Sequence, residues 1–222
     1  MSGASTGAGA SAGAGGSGGS GGSGGGEPRG PWVRHSTAVV HRNPWYSVVR
    51  DEVTRPDGSP GEYFTVVNRP AVFVAAVDDQ DRVCLVRLYR YTIGRWSLEV
   101  PAGRTDEGEE PLAAAQRELA EEAGVRAAQW EHLALLYPAN GLLDEDNHVY
   151  LATGLSDAGV DHAELRTEGI EEIRFVGRRE AWAMVRSGEI NDGQTVAALA
   201  LADLVLGPAG SLGPAGPAEP LG

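Results

Sequence analysis

The chain has 222 residues, with 31 acidic and 18 basic side chains and one cysteine, and its net charge at pH 7 is −13. All 18 basic residues are arginines, which excludes a Schiff-base lysine and the lysine of a phosphate-binding P-loop. Because Cys84 is alone, neither an intramolecular disulfide nor a cysteine-rich zinc site can form, and a reducing compartment is expected. The acidic excess disfavours nucleic acid as a partner and favours a role for divalent cations.

The two ends of the chain differ in composition from its middle. Residues 1–26 are a Gly/Ser/Ala tract, and residues 207–222 are rich in Pro, Gly and Ala. Such tracts bury too little apolar surface to offset the entropy of ordering, so both are expected to be disordered tails. Residues 27–206 suit one globular domain with a sizeable core, in which we expect an N-terminal strand region at 27–68 and the main domain at 69–206.

Neither a membrane segment nor a secretory signal is expected. The longest apolar runs, at residues 71–77 and 196–202, are far shorter than the roughly 18 to 20 residues that a membrane-spanning helix needs. The N-terminus has neither the basic start nor the apolar stretch of a signal peptide. We therefore expect a cytoplasmic protein that does not use a membrane as a partner.

The first half of the chain predicts strands. Residues 36–54 and 62–68 are rich in β-branched and aromatic residues, and the Arg-Pro-Asp-Gly turn at 55–58 predicts that they form a hairpin-like pair. Short apolar segments predict further strands at residues 71–77, 83–89 and 96–100.

The second half mixes helices and strands. Residues 111–123 have apolar side chains at helical spacing, with Pro111 suited to the first turn and Gly124 to the C-terminal cap. Later strands are predicted at 133–137, 148–153 and 173–176, and later helices at 179–187 and 192–206. The inner face predicted for the last helix holds Val196, Leu199, Ala200 and Asp203. This order predicts an α+β fold, a mixed β-sheet sandwiched between helices.

Three glutamates share one face of the helix predicted at 111–123. At 100° per residue, Glu118, Glu121 and Glu122 lie within about 100° of one another. Like charges at this spacing destabilise a helix by a few tenths of a kcal/mol per pair, and the helix dipole disfavours anions near the C-terminal end. A bound hard divalent cation would remove this cost, whereas a solvated acidic face is the alternative that the spacing leaves open.

The residues around these glutamates form a longer pattern. Gly103 is followed by five residues and Glu109, and then by seven residues and the run Arg117-Glu118-Leu119-x-Glu121-Glu122-x-Gly124-Val125. The pattern matches every specified position of the Nudix box, a coincidence that is rare by chance. The chain therefore resembles the Nudix hydrolases, and the resemblance implies the Nudix fold with an extra N-terminal strand or hairpin region.

The resemblance also implies how the box works. Glu118 and Glu122 would bind Mg²⁺ or Mn²⁺, and the backbone carbonyl of Ala102 would complete a metal site. Glu121 would either be a third ligand or contact a ligand, and it would take part in catalysis. Arg117 would orient the loop by pairing with nearby glutamates. Water would then attack one phosphorus of a nucleoside diphosphate linked to another group, with metal ions neutralising the pyrophosphate.

Within this superfamily the chain is most similar to the ADP-ribose pyrophosphatases, also called ADP-sugar diphosphatases. Residues 98–103 match their entry to the box, and residues 45–67 resemble N-terminal strands that help to form a homodimer. The resemblance implies that Arg90 binds a substrate phosphate and that Trp45 stacks on adenine. The alternatives are that Arg90 serves only in an ion pair and that Trp45 only packs over a strand. The similarity departs at Pro138-Ala139-Asn140, where many relatives have Ser-Pro-Gly.

A base must also activate the attacking water. In this branch the base is a glutamate on a loop about 50 residues after the box, which makes Glu171 the first candidate, Glu168 the second and Glu172 the third. The alternation of a strand would turn Glu172 to the opposite side. A solvated acidic loop is the alternative, and His148 and His162 are weaker candidates.

Two other functions remain open at this point. A housecleaning nucleoside triphosphate pyrophosphohydrolase uses the same box, but usually lacks strands equivalent to residues 36–68. A non-catalytic Nudix module that senses ADP-ribose typically has a broken box or a DNA-binding domain, and neither is expected here.

Overall fold

The computed structural model describes residues 26–159 and 162–208. Almost all of the two predicted disordered tails therefore lies outside the described residues. The described residues divide into two compact units: the first comprises 26–37 together with 51–62, and the second comprises 38–50, 63–159 and 162–208. None of the helices in the described part of the chain is long and apolar enough to cross a membrane.

The described residues form twelve strands and four α-helices. The strands are β1 (Glu27–Arg29), β2 (Trp32–Arg42), β3 (Ser47–Thr54), β4 (Pro60–Val67), β5 (Ala71–Ala76), β6 (Arg82–Arg90), β7 (Arg95–Glu99), β8 (Ala102–Arg104), β9 (Val125–Leu136), β10 (Leu143–Asp144), β11 (Asn147–Asp157) and β12 (Ile170–Gly177). The helices are α1 (Pro111–Ala123), α2 (His162–Glu168), α3 (Arg178–Ser187) and α4 (Gly193–Leu206).

The first unit contains β1 and the parts of β2, β3 and β4 nearest to the predicted turn. Strand β1 pairs antiparallel with β2, and the Thr37 hydroxyl donates to the Asp51 carboxylate at 2.6 Å. At the turn, the Arg55 N–H donates to the Ser59 carbonyl at 2.8 Å, and the Ser59 N–H donates to the Asp57 carboxylate at 2.9 Å. The turn expected from Pro-Asp-Gly therefore forms where the sequence predicts it.

The second unit contains two further sheets and all four helices. One sheet has the order β8-β5-β11-β9, with β5 and β11 parallel, and the other has the order β12-β6-β7. Within this unit, β10 pairs in parallel with the end of β4.

The core of the second unit has two sides. Leu119 and Ala115 of α1 pack with Val72 and Val74 of β5 on one side. The residues of α3 and α4 pack on the other side, against a cluster that includes Leu85. A mixed sheet thus lies between helices, and the α+β Nudix fold predicted from the sequence is confirmed.

Several elements differ from the sequence predictions. Residues 36–54 lie in two strands, β2 and β3, rather than one, and the short strands β1, β8 and β10 were not predicted. Strand β9 begins at Val125, eight residues before the predicted start, because it pairs with β11 along its whole length. Helix α2 was not predicted. In α4, Leu199 is buried as predicted, but the other buried residues are Thr195, Ala198 and Ala202. The Thr195 hydroxyl accepts a bond from the Val100 N–H, which turns this face inward. Asp203 accepts bonds from Arg178 and the Trp182 indole.

Candidate active site

The site is built where β8 meets α1, and all of its residues belong to the second unit. Pairing of β8 with β5 sets Gly103 opposite Val72 and lays the β8 backbone beside the helix. A Cβ atom at Gly103 would lie 2.0 Å from Oε1 of Glu118, well inside van der Waals contact. A side chain at the first glycine of the box would therefore displace the Glu118 carboxylate from its place beside β8.

Arg117 ties the loop to the helix. Its guanidinium donates to both carboxylate oxygens of Glu109 at 3.0 Å, to Glu118 at 2.8 Å and to Glu121 at 3.0 Å. It also donates to the backbone carbonyl of Arg104 at 3.1 Å. The bond from Arg117 is the main cause that lowers the pKa of Glu109. The structure thus contains the pairing with Glu109 and Glu121 that the sequence leads us to expect.

Glu122 is the most deeply buried carboxylate of the helix, with 6% of its surface exposed. Its Oε2 accepts a hydrogen bond from the Ala102 N–H at 2.8 Å. Burial raises the pKa of Glu122 to about 8, although the bond from Ala102 opposes this change. Burial also raises the pKa of Glu118. Two carboxyl groups thus lie side by side in a place that penalises their negative charge.

These carboxylates fit a hard divalent cation by their chemistry. Mg²⁺ and Mn²⁺ prefer carboxylate and carbonyl oxygens, and a cation would add positive charge beside the buried Glu122 carboxylate. In the described part of the chain no three His, Cys, Asp or Glu side chains are gathered as a ready-made metal site. Glu118 is instead held by Arg117, and the contact that Ala102 makes to Glu122 is through its N–H rather than its carbonyl.

Arg90 lies at the end of β6, near the buried carboxylates. Its Nε donates to Oε1 of Glu99 at 2.9 Å and its Nη2 donates to Oε2 at 2.5 Å. This two-pronged bond is the main cause that raises the pKa of Arg90, and the charges of Glu122 and Asp192 add to it. Glu99 belongs to the motif at 98–103, but nothing in the sequence indicated a role for it. Glu99 is opposite Val86 rather than Arg90 in the register of β6 with β7, and only the side-chain hydrogen bonds show that it holds Arg90.

The three candidate bases lie in different surroundings. Glu168 ends α2, and its charge contributes to the raised pKa of both Glu118 and Glu122. Glu171 lies at a β-bulge of β12 and forms an ion pair with Arg87, whose guanidinium stacks on the Trp96 ring at 4.2 Å.

Glu172 has a different partner, since it accepts a bond from Arg174 at 2.7 Å. Glu172 and Arg174 line a cleft with Arg87 and Trp96. Arg87 is opposite Leu98 in the register of β6 with β7, and Leu98 packs in the core cluster with α3 and α4. Because side chains alternate along a strand, Arg87 and its cleft lie on the opposite face of the sheet from Arg90. Among the three candidates, Glu168 is the one whose charge acts on both Glu118 and Glu122, whereas Glu171 is paired with Arg87.

Trp45 lies apart from the carboxylates, in the loop between β2 and β3. Its side chain is 67% exposed and lines a cleft of about 260 Å³ with Asn43, Tyr46, Asn68 and Arg69. The Asn43 carboxamide oxygen accepts bonds from the backbone N–H groups of Trp45 and Tyr46, both at 2.9 Å, and so fixes the loop. The indole ring is therefore presented to solvent on an ordered loop.

Comparison with known families identifies two matched segments. The NUDIX domain matches residues 67–199, and the nucleoside diphosphate sugar hydrolase N-terminal domain matches residues 32–66. A crystal structure of an ADP compounds hydrolase has a TM-score of 0.70 and 23% identity, and the match covers 79% of this chain and 94% of that one. At this identity the likeness supports the fold alone.

Three curated relatives are similar in sequence. An ADP-ribose pyrophosphatase of Mycobacterium tuberculosis is 40% identical over 125 residues, which are 56% of this chain and 60% of the relative. An ADP-ribose pyrophosphatase of Bacillus subtilis is 34% identical over 149 residues, which are 67% of this chain and 80% of the relative. A CMP-5'-(N-acetyl-N-hydroxy-3-aminopropyl)phosphonate hydrolase of Streptomyces rubellomurinus is 30% identical over 174 residues, which are 78% and 83%.

The domain match spans more than half of the chain, and it contains the whole motif from Gly103 to Val125. Members of this family generally depend on a divalent metal. The protein belongs to the Nudix hydrolase family, as its sequence motif predicts.

Proposed function

We propose that the protein hydrolyses the pyrophosphate bond of ADP-ribose, or of a closely related nucleotide sugar, and releases AMP and a sugar phosphate. The observation that carries this proposal is the pair of carboxylates formed by the half-buried Glu118 and the buried Glu122, packed against the Ala102–Gly103 backbone with the Arg90 guanidinium nearby. A pyrophosphate diester needs both features, because its anionic oxygens must be neutralised and oriented.

The residues that would hold Mg²⁺ or Mn²⁺ are Glu118, Glu121, Glu122 and the carbonyl of Ala102. When bound, the cation neutralises the pyrophosphate and lowers the pKa of the attacking water. Arg117 holds Glu118 and Glu121 in place through the bonds described above. Because the donors are all oxygens, the proposal favours these hard cations over zinc.

Arg90 is the proposed clamp for a substrate phosphate. Its Nε and Nη2 are occupied by Glu99, which leaves Nη1 to donate to a phosphate oxygen. Glu99 has only 5% of its side chain exposed, so it fixes the guanidinium plane rather than competing as a mobile counter-ion.

Glu168 is the proposed base that accepts a proton from water. Its support is electrostatic proximity to Glu118 and Glu122, whereas Glu171 and Glu172 are each paired with an arginine. The order of candidates in the proposal is therefore Glu168 first and Glu171 second.

The substrate class rests on the N-terminal strands and on the relatives. Two relatives are ADP-ribose pyrophosphatases and a third hydrolyses a CMP-linked phosphonate, so a nucleoside phosphate linked to another moiety is common to all three. The match of residues 32–66 to a nucleoside diphosphate sugar hydrolase N-terminal domain supports a nucleotide sugar over a nucleoside triphosphate. Trp45 is the proposed stacking partner of the adenine ring.

A homodimer is part of the same proposal. Apolar side chains of the second unit are exposed on β2 (Val39, Val40), on β4 (Tyr63, Phe64) and in the loop that carries Trp45 (Tyr46). Monomeric proteins rarely expose such a patch, and a second copy of the chain would cover it.

The division into residues 27–68 and 69–206 and a cytoplasmic location also remain predictions. The buried free thiol of Cys84 is compatible with a reducing compartment.

The test is release of AMP by the purified protein. ADP-ribose, ADP-glucose, other nucleotide sugars and nucleoside triphosphates are supplied separately with Mg²⁺ or Mn²⁺, and the products are separated by chromatography. We expect AMP and ribose 5-phosphate from ADP-ribose, and no turnover by Glu122→Gln. Hydrolysis of a triphosphate alone would refute the substrate class, and equal turnover by Glu122→Gln would refute the assignment of the site.

A further inference from the structure

Two histidines meet on the surface of the sheet formed by β9 and β11. Nδ1 of His148 lies 3.3 Å from Nε2 of His132, and the ring of His132 also contacts that of Tyr150. His132 is exposed and His148 is half-buried, so solvent reaches the pair. Neither residue has a part in the proposed hydrolysis.

An irregularity in β9 creates this contact. His148 is opposite Leu135 and Val149 is opposite Ala134, but Tyr150 is opposite His132, so Leu133 is an extra residue. In a regular ladder Leu133 would be opposite Tyr150 and His132 would point to the other face, because side chains alternate along a strand. The bulge turns Leu133 into the core and brings His132 to the face that carries His148.

We propose that His132 and His148 form a binding site for a transition-metal cation such as Zn²⁺, separate from the carboxylates of the box. The separation of the two nitrogens supports this site. Two ligands at about 2.0 to 2.1 Å from a tetrahedral zinc are about 3.3 to 3.4 Å apart, which is the distance that the two imidazole nitrogens already have. A small rotation of the rings would direct both lone pairs at one cation.

The protonation of the pair also suits a metal. A neutral imidazole carries one proton, and binding through Nε2 of His132 and Nδ1 of His148 requires that proton to lie on the other nitrogen of each ring. The proton that the two rings share in a hydrogen bond would move to the outer nitrogen of the donor ring, so no net proton is released. Burial, with the adjacent His132, lowers the pKa of His148 and so favours its neutral form.

The two sites would select different cations. Imidazole nitrogen suits zinc, copper and nickel, whereas Mg²⁺ takes oxygen ligands. In the described residues no third His, Cys, Asp or Glu side chain completes a ligand set with the pair, so water would occupy the remaining positions. Excess Mg²⁺ should therefore fill the carboxylate site and leave the histidine pair available to zinc.

Calorimetric titration of the full-length protein with ZnCl₂ in excess Mg²⁺ tests this site. We expect one saturable site in the wild type, with affinity reduced about tenfold or more in His132→Gln and in His148→Gln. His41→Gln is the matched control, because His41 also contacts a polar side chain, Asn43, but no second histidine. It should bind zinc like the wild type.

Histidine ring signals in an NMR spectrum give a second readout that does not depend on affinity. Zinc should shift the signals of His132 and His148 together and leave that of His41 in place. Absence of saturable binding, or unchanged binding in both variants, would overturn the proposal and leave the pair as a hydrogen bond only. Because activity is not measured, failure here is distinct from failure of the proposed hydrolysis.

Discussion

The Arg90 guanidinium is locked in a two-pronged salt bridge with Glu99, a residue on the neighbouring strand with 5% of its side chain exposed. A partner this deeply buried cannot easily follow a substrate, so Arg90 presents a fixed edge to the carboxylate site. The arginine is therefore an ion-pair partner and is also the proposed clamp, two roles that the sequence alone presented as alternatives.

Replacement of Arg90 by alanine should lower kcat/KM for ADP-ribose by about 2 to 3 kcal/mol, since a charge-assisted contact to a phosphate is lost. It should also destabilise the fold, because Glu99 is left buried without its partner. Arg90→Lys should restore part of the stability but little of the catalysis, since lysine lacks the fork that binds Glu99 and phosphate together. Steady-state kinetics and thermal melts are compared with Arg126→Ala, which removes an exposed arginine of β9. A normal kcat/KM in Arg90→Ala would contradict the clamp.

Glu122 should make the stability of the metal-free protein depend on pH. Its pKa is raised from the ordinary value of 4.5 to about 8, so the folded state holds this proton more tightly than the unfolded state does. The contribution to stability is then complete below about pH 4.5 and is lost as the pH rises to about 8.

Glu122→Gln removes this titration. Without metal, its Tm should match the wild type near pH 5 and exceed it by about 3 °C or more at pH 9. Added Mg²⁺ should raise the Tm of the wild type more than that of the variant. If the difference in Tm between Glu122→Gln and the wild type is the same at pH 5 and pH 9, the raised pKa of Glu122 is contradicted.

Glu168 and Glu171 should differ strongly in their kinetic effect. Removal of a general base costs roughly 10² to 10⁴ in rate, so Glu168→Gln should lower kcat by at least about a hundredfold with little change in KM. Glu171→Gln weakens a half-exposed ion pair with Arg87, and such pairs are worth about 0 to 1 kcal/mol. The pH dependence of kcat should lose its acidic limb only in Glu168→Gln. The reverse pattern would restore Glu171 to the first place that its sequence position suggested.

The box could be predicted residue by residue because it is local. The three glutamates lie in one helix, which begins at Pro111 and is capped by Gly124, as the sequence predicts. The partners of Arg90 and Glu171 could not be predicted, because they depend on how the side chains of paired strands meet in three dimensions rather than on spacing within one helix. The contact of His132 with His148 depends on a single bulge, and a shift of one residue turns every side chain to the other face.

The exposed apolar patch on β2 and β4 should hold two copies together. Phe64→Arg places a charge where 48% of the phenylalanine is exposed, and it should shift the protein toward a monomer in light scattering after gel filtration. Leu204→Arg is the matched control, since Leu204 is 81% exposed but lies on α4. A wild type that is already monomeric, or a shift only in Leu204→Arg, would rule out this interface.

The most direct test compares ADP-ribose with a nucleoside triphosphate at one fixed Mg²⁺ concentration, using the wild type and Trp45→Ala. We expect the wild type to prefer ADP-ribose in kcat/KM, and Trp45→Ala to lose about 1 to 2 kcal/mol with ADP-ribose because a base-stacking surface is removed. Metal affinity should be the same in both proteins, since Trp45 lies outside the carboxylate site. A wild type that prefers the triphosphate would contradict the nucleotide-sugar assignment and leave only membership of the Nudix hydrolase family.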